Sequence, residues 1–207
     1  MSVVEVFADV GCPFTHVGLL RFVAARRERG REDVVLRVHG WPLEVVNGTP
    51  LDPTFIAEEV EEIRTQLDTG MFAGFDPAAF PRTSLPAMAL ASSAYEVDDR
   101  IGEAVSLRLR ALLFEEGRDI ADPGVLAAVA GDWALPFDPS DAEAHRKRAL
   151  AEHAAGTERG VVGSPHFFTP GGGFFCPALD VGRDDSGHLR IHADPEGFDA
   201  FLAVCFR

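Results

Sequence analysis

The arrangement of β-forming and helix-forming segments limits this 207-residue chain more than any other feature. Residues 2–8 are rich in Val and Phe and read as a buried strand that stops at Asp9-Val10-Gly11. Cys12-Pro13 follows at once, and Val17, Leu20, Phe22, Val23 and Ala24 then recur at helical spacing until the basic run that closes at Gly30. Val34 to His39 is a second β-rich run, ended by Gly40-Trp41-Pro42. A strand, a crossover helix and a strand in this length predict a parallel pair with a right-handed connection.

After Asn47-Gly48 the pattern turns helical. Five Asp-Pro pairs, at residues 52, 76, 122, 138 and 194, punctuate the chain. An Asp N-cap followed by Pro in the first helical position marks a helix start, and at least four of the five fit. The spacing predicts helices near 53–68, 84–97, 100–116, 123–131 and 141–155, the last opened by a Ser140/Glu143 capping box. Residues 70–86, with Phe72, Phe75 and Phe80, read as an irregular loop packed by aromatics. From Gly160 the pattern is β again: Pro165–Thr169, a turn at 170–173 and Phe174–Cys176 form a hairpin, Gly187–His192 adds an edge strand, and Asp194-Pro195 opens a final helix with Phe198, Phe201, Leu202 and Phe206 on one face.

Composition sets the outer limits. With 46% apolar and 25% charged residues the chain can bury a core, which excludes disorder. Acidic residues outnumber basic ones 33 to 19, for a net charge of −14, so neither nucleic acid nor an anionic membrane is a natural partner. No run of about 18 apolar residues occurs. Cys12, Cys176 and Cys205 are too few for a disulfide framework and lack metal-site spacing. A reduced cytoplasm is the expected location, in keeping with residues 1–10, which carry Glu5 and Asp9 and no basic leader.

Cys12 is the candidate nucleophile. A cysteine between a buried strand and a helix faces converging N–H groups and the positive end of the helix dipole, which favour thiolate and predict a pKa below the free value of about 8.5. The N–H groups of Phe14 and Thr15 and the Thr15 hydroxyl are placed to hold the anion, and His16 lies in the same turn. Asp9, three residues earlier, reads equally as a proton relay or as a cap of the strand-to-helix turn.

Three segments, in order, resemble the DsbA-like thioredoxin family, which also contains hydroxychromene-carboxylate isomerases. They are Phe7-Ala8-Asp9-Val10-Gly11-Cys12-Pro13-Phe14-Thr15-His16-Val17-Gly18, Phe114 to Pro123, and Gly160-Val161-Val162-Gly163-Ser164-Pro165-His166-Phe167-Phe168. The resemblance implies an α/β thioredoxin-like fold formed by residues 1–50 and 156–207, with 51–155 a helical insertion between the second strand and the hairpin. It implies that Pro165 is cis opposite Cys12, with Ser164 exposing backbone groups for a bound peptide or glutathione-like thiol. Cys12 and Thr15 are then the catalytic positions, and Asp9, Pro13, Phe14, Ser164 and Pro165 flank the substrate.

Thr15 departs from the dithiol members, which carry a second Cys there. Dithiol exchange at this motif is excluded, and a mixed disulfide on Cys12 must be resolved by an external thiol or by Cys176, which the hairpin should return toward the site. The resemblance therefore implies a thiol–disulfide oxidoreductase with one active-site thiol. The alternative is a low-molecular-weight-thiol-dependent isomerase or transferase like the chromene-carboxylate isomerases and kappa-class glutathione transferases, which carry Ser where Cys12 stands. A third reading is a peptide-binding module with a redundant thiol. No tightly bound cofactor is expected beyond a thiol such as glutathione; the partners are protein or small-molecule thiols and disulfides, and a homodimer is compatible with the family.

The remaining signals are weaker. The seven His and three Cys contain no ligand set, so no metal is expected. His145 and His153, and the acidic run Glu58–Glu62, read as solvated helix faces; Cys205 reads as core.

Overall fold

The computed structural model describes residues 2–207. In chain order the elements are β1 (Ser2–Ala8), α1 (Pro13–Glu28), β2 (Val34–Gly40), the one-turn α2 (Leu43–Val46), α3 (Pro53–Gln66), a 3-10 turn (Pro77–Ala79), α4 (Leu85–Val97), α5 (Asp99–Phe114), α6 (Pro123–Asp132), α7 (Ala142–Glu158), β3 (His166–Thr169), β4 (Gly172–Phe175), β5 (Leu179–Arg183), β6 (Leu189–Ala193) and α8 (Pro195–Cys205). β1 and β2 are parallel, β3 runs antiparallel to β1 and β4 antiparallel to β3, and the sheet order is β2-β1-β3-β4.

Alternation along the strands decides what each sheet face buries. Val4, Val6, Val34, Leu36, Val38 and Phe167 share one core with Leu19 and Phe22 of α1 and with Phe201, Leu202 and Cys205 near the C-terminus. Phe201 ties this layer together, its ring 4.9 Å from that of Phe167 and 5.9 Å from that of Phe22. On the opposite face Phe7 packs with Trp41 and Val161. Gly156 of α7 comes so close there that a Cβ would stand 2.8 Å from the Trp41 ring, which requires glycine.

The insertion does more than sit beside this sheet. β2 is an edge strand, and its unpaired backbone groups need partners. Leu36 N–H donates to the Glu103 carboxylate of α5 (2.6 Å), Leu36 C=O accepts from the Tyr95 hydroxyl of α4 (3.0 Å), and Gly40 N–H donates to Glu152 of α7 (2.6 Å). Arg26 of α1 completes the seam with a two-pronged bond to Glu103 (2.8 and 2.7 Å). Three helices of the insertion therefore seal the edge by side-chain hydrogen bonds.

Four of the Asp-Pro pairs start helical turns. Asp52, Asp122 and Asp194 cap α3, α6 and α8, and Asp76 caps the 3-10 turn. The Ser140/Glu143 capping box is not formed. Asp138 takes the Ser140 hydroxyl and N–H into its own turn (2.7 and 2.9 Å), leaving Asp141 to cap α7 through Ala144 N–H. The expected edge strand near 187–192 is instead β6 of a separate two-stranded sheet with β5, which was not foreseen. His145 and His153 do not share a solvated face: His145 is buried against Phe137, and the half-buried His153 stacks on Trp41, each with ring centroids 4.6 Å apart.

Candidate active site

β1 ends at Ala8, and the turn from Asp9 to Cys12 swings the chain into α1. Cys12 occupies the N-cap position with extended backbone (φ −85°, ψ 115°), and its side chain makes no N-cap hydrogen bond. Pro13 fills the first helical position, where its missing N–H costs nothing. Across from this turn the Ser164–Pro165 peptide bond is cis. The Cys12 thiol donates to the Ser164 carbonyl at 3.4 Å. The Ser164 hydroxyl lies 2.9 Å from the Thr15 hydroxyl and accepts from Asp9 N–H at 2.9 Å. One serine thus joins the cysteine turn to the proline loop.

Cys12 is 4% exposed. Burial pushes its thiol pKa up, and hydrogen bonds from Thr15 and Ser164 oppose the rise without cancelling it. This corrects the expectation of a depressed pKa: removing the sulfur from water outweighs the hydrogen bonds that favour its thiolate. Phe14 is half-buried and packs toward the insertion's core.

Asp9 is completely buried. Its carboxylate accepts from Gly11 N–H (2.8 Å), Leu43 N–H (2.7 Å) and the Ser84 hydroxyl (3.2 Å), linking the turn to α2 and the start of α4. Burial raises its pKa to about 6, with those donors and the nearby Arg110 charge opposing the rise, so it is ionised at neutral pH. The structure gives Asp9 the work of holding the turn, the capping half of its sequence reading.

The insertion brings to the site charged groups that the sequence did not assign to it, Glu115, Glu59 and Arg110. His16, 1% exposed, bonds through Nε2 to Glu115 at 2.7 Å, and Phe72 N–H donates to the same carboxylate at 2.9 Å. Burial lowers the His16 pKa, against the pull of Glu115, and keeps the ring neutral. Glu59 of α3, read as part of a solvated face, is only partly exposed; burial raises its pKa to about 7, and its charge disfavours the Cys12 thiolate. Arg110 of α5 is 2% exposed and donates to the Asp9 carbonyl at 3.3 Å. No periodicity distinguishes these residues from surface charge, because only the packing of α3 and α5 against the turn turns them inward. The segment from Phe114 to Pro123 gave a partial signal. Gly117 there adopts φ +59°, and a Cβ would stand 2.6 Å from the Gly74 carbonyl, so glycine is needed to bring Glu115 to His16.

Cys176 lies just past β4 rather than on a returning strand, in the left-handed region (φ 44°), and its N–H donates to the Pro165 carbonyl at 3.0 Å. It therefore borders the same loop as Cys12. Burial pushes its thiol up to about 12, and the Cys12 charge adds to the effect. Cys205 is buried on α8. All three cysteines are unpaired. Among the described residues no group of three or more His, Cys, Asp or Glu could hold a metal ion, and no helix is long and apolar enough to cross a membrane.

Solved structures share this architecture. The cytosolic disulfide reductase DsbM from Pseudomonas aeruginosa aligns over 97% of both chains with a TM-score of 0.61 at 19% identity. A Nitrosomonas europaea protein provisionally named a protein disulfide isomerase aligns over 97% of this chain and 95% of its own, with a TM-score of 0.65 at 15% identity. A 2-hydroxychromene-2-carboxylate isomerase covers 84% of this chain and 88% of its own, with a TM-score of 0.56 at 15% identity. No curated protein sequence matches the chain. The family model of the DSBA-like thioredoxin domain matches residues 3–183, nearly the whole chain, and with the cysteine turn and proline loop in place the protein belongs to that family.

Proposed function

We propose that the protein is a thiol–disulfide oxidoreductase that works through one active-site thiol, Cys12, with protein or small-molecule disulfides as substrates and an external thiol such as glutathione as the resolving partner. The observation that carries this reading is the contact between the Cys12 sulfur and the Ser164 carbonyl, reinforced by the Thr15–Ser164 hydroxyl pair. A peptide-like substrate that pairs with Ser164 takes over that carbonyl and releases the S–H from it, so binding uncovers the nucleophile.

The Cys12 thiolate then attacks one sulfur of R–S–S–R′. Cys12–S–S–R forms and R′–S⁻ leaves to take up a proton. A second thiolate, R″–S⁻, attacks the R sulfur, giving R–S–S–R″ and returning Cys12 as thiolate. Thr15 supplies a hydroxyl and an N–H to the sulfur in both half-reactions where a dithiol enzyme has its second cysteine. Cys176 is a poor resolving nucleophile because its thiol stays protonated near neutral pH. Pro13, Phe14 and Pro165 form the walls beside the sulfur. A cytoplasmic location suits a site that depends on reduced thiols, and the DsbM neighbour is described as cytosolic.

The test is glutathione-coupled reduction of a mixed-disulfide peptide by the wild type and by Cys12→Ser. Turnover by the wild type alone supports the proposal, and equal turnover by both rejects it. The isomerase or transferase reading, favoured by Thr15, requires the opposite: Cys12→Ser would retain thiol-dependent conversion of an electrophilic substrate.

A further inference from the structure

Arg110 is the most deeply buried arginine of the site and the one least explained by folding. Arg26, on α1, is also largely buried, but Glu103 meets it with two bonds. Arg110, 2% exposed, has no such partner: among the described residues no carboxylate oxygen lies within 4.0 Å of it. Its Nη1 donates to the Ser106 carbonyl (3.1 Å) and hydroxyl (2.7 Å), its Nη2 donates to the Asp9 carbonyl (3.3 Å), and its Nε has no acceptor. It lines a small cavity of about 10 Å³ between the sheet and α4, no larger than one water needs. A buried cation without an ion pair is costly, and hydrophobic packing would serve the fold at least as well. Its position suggests what compensates. The Asp9 carbonyl that accepts Arg110 also accepts Cys12 N–H at 3.4 Å. The guanidinium therefore stands behind the turn that carries the reactive sulfur, on the protein side rather than the substrate side.

We propose that Arg110 is a positioning residue of the Cys12 reaction, a fixed buried cation that holds the negative charge which thiol–disulfide exchange places on the Cys12 sulfur. This rests on the exchange reading above. Cys12 is a thiolate at the moment of attack and again when the resolving thiol displaces it, so one cation favours both half-reactions. The other groups around the sulfur supply no positive charge. Asp9 in the turn and Glu59 on α3 are carboxyls, His16 on α1 is kept neutral by burial and bonded to Glu115, and Cys176 beyond β4 is a protonated thiol. Arg110 acts on Cys12 and Asp9 together, and its own pKa, lowered by burial to about 10, leaves it charged at neutral pH.

The test is a thiolate titration by absorbance at 240 nm, in a Cys176→Ser/Cys205→Ser background so that Cys12 alone reports. Arg110→Met should move the midpoint to higher pH, by about one pH unit or more, Arg110→Lys should return it toward the parent, and Asp9→Asn should lower it. Exchange turnover in Arg110→Met at neutral pH should fall about tenfold for every pH unit by which its midpoint lies above the parent's, and recover above the new midpoint. A folded Arg110→Met protein with the parent's midpoint overturns the proposal. Should that variant fail to fold, Arg110→Gln, which keeps hydrogen-bond donors but no charge, replaces it, and the parent's midpoint in that variant overturns the proposal equally. The titration needs no disulfide substrate, so it distinguishes failure of this role from failure of the exchange activity.

Discussion

The thioredoxin-like half and the helical insertion treat Cys12 differently. The first half holds the sulfur directly with neutral groups, the Ser164 carbonyl at 3.4 Å, the Thr15 and Ser164 hydroxyls and the backbone of the first turn of α1, and adds one charge nearby, the buried Asp9 carboxylate. The insertion contributes most of the charge: Glu59 acts on the sulfur, Arg110 stands behind the turn in the role proposed above, and Glu115 fixes His16. Neutral donors set where the sulfur sits, and charges at a distance decide how readily it ionises. Apart from Asp9, geometry and reactivity are therefore encoded in different parts of the chain, and a change in α3 or α5 can alter the chemistry without touching the motif.

Substitutions on each side sharpen this division. The largest effect belongs to Cys12→Ser, which should reduce disulfide exchange to the uncatalysed background in a coupled glutathione assay while leaving the urea midpoint near that of the parent. Next comes the seam itself. Glu103→Ala strands the buried Arg26 guanidinium and the Leu36 N–H, and should cost about 3–5 kcal/mol in urea unfolding. Ser164→Ala removes the acceptor of Asp9 N–H and the partner of Thr15, which should cost about 1–3 kcal/mol and slow exchange; unchanged stability would mean that the turn and the proline loop are held by other contacts.

Asp9 gives a smaller, pH-dependent effect. Its pKa in the folded protein is about 6 against an ordinary 3.8, so the folded state binds that proton more tightly than the unfolded chain. Its contribution favours folding at low pH and is lost as pH rises from about 4 through 6. The difference in urea midpoint between wild type and Asp9→Asn should therefore change across that window and be flat above it. The smallest effect is expected from Cys176→Ser, which should retain more than about half of wild-type turnover, since a thiol held near 12 contributes little at neutral pH.

What the sequence revealed divides along the same line. The Val-rich strands, the Asp-Pro helix starts and the Cys12-Pro13 junction are local signals, and β1, α1, β2, α3, α6 and α8 lie where they place them. Ser164 and Thr15 were legible because they sit inside recognisable segments. Arg110 and Glu59 were not: each is one charged residue on a helix among many, and its inward direction follows from how α5 and α3 pack. The raised Cys12 pKa was missed for a related reason, since helix polarity can be read from local sequence but the depth of the pocket cannot. β5 escaped because Leu179–Arg183 pairs only with β6, so neither flanking motif marks it.

The most direct measurement is site-mapped trapping of the mixed disulfide. The protein, with all three thiols reduced, is mixed with one equivalent of glutathione disulfide, quenched in acid, and its peptides are weighed by mass spectrometry. A single glutathione adduct on Cys12, with Cys176 and Cys205 unmodified, is the expected result; Cys12 unmodified while another cysteine carries the adduct would contradict a Cys12-centred exchange.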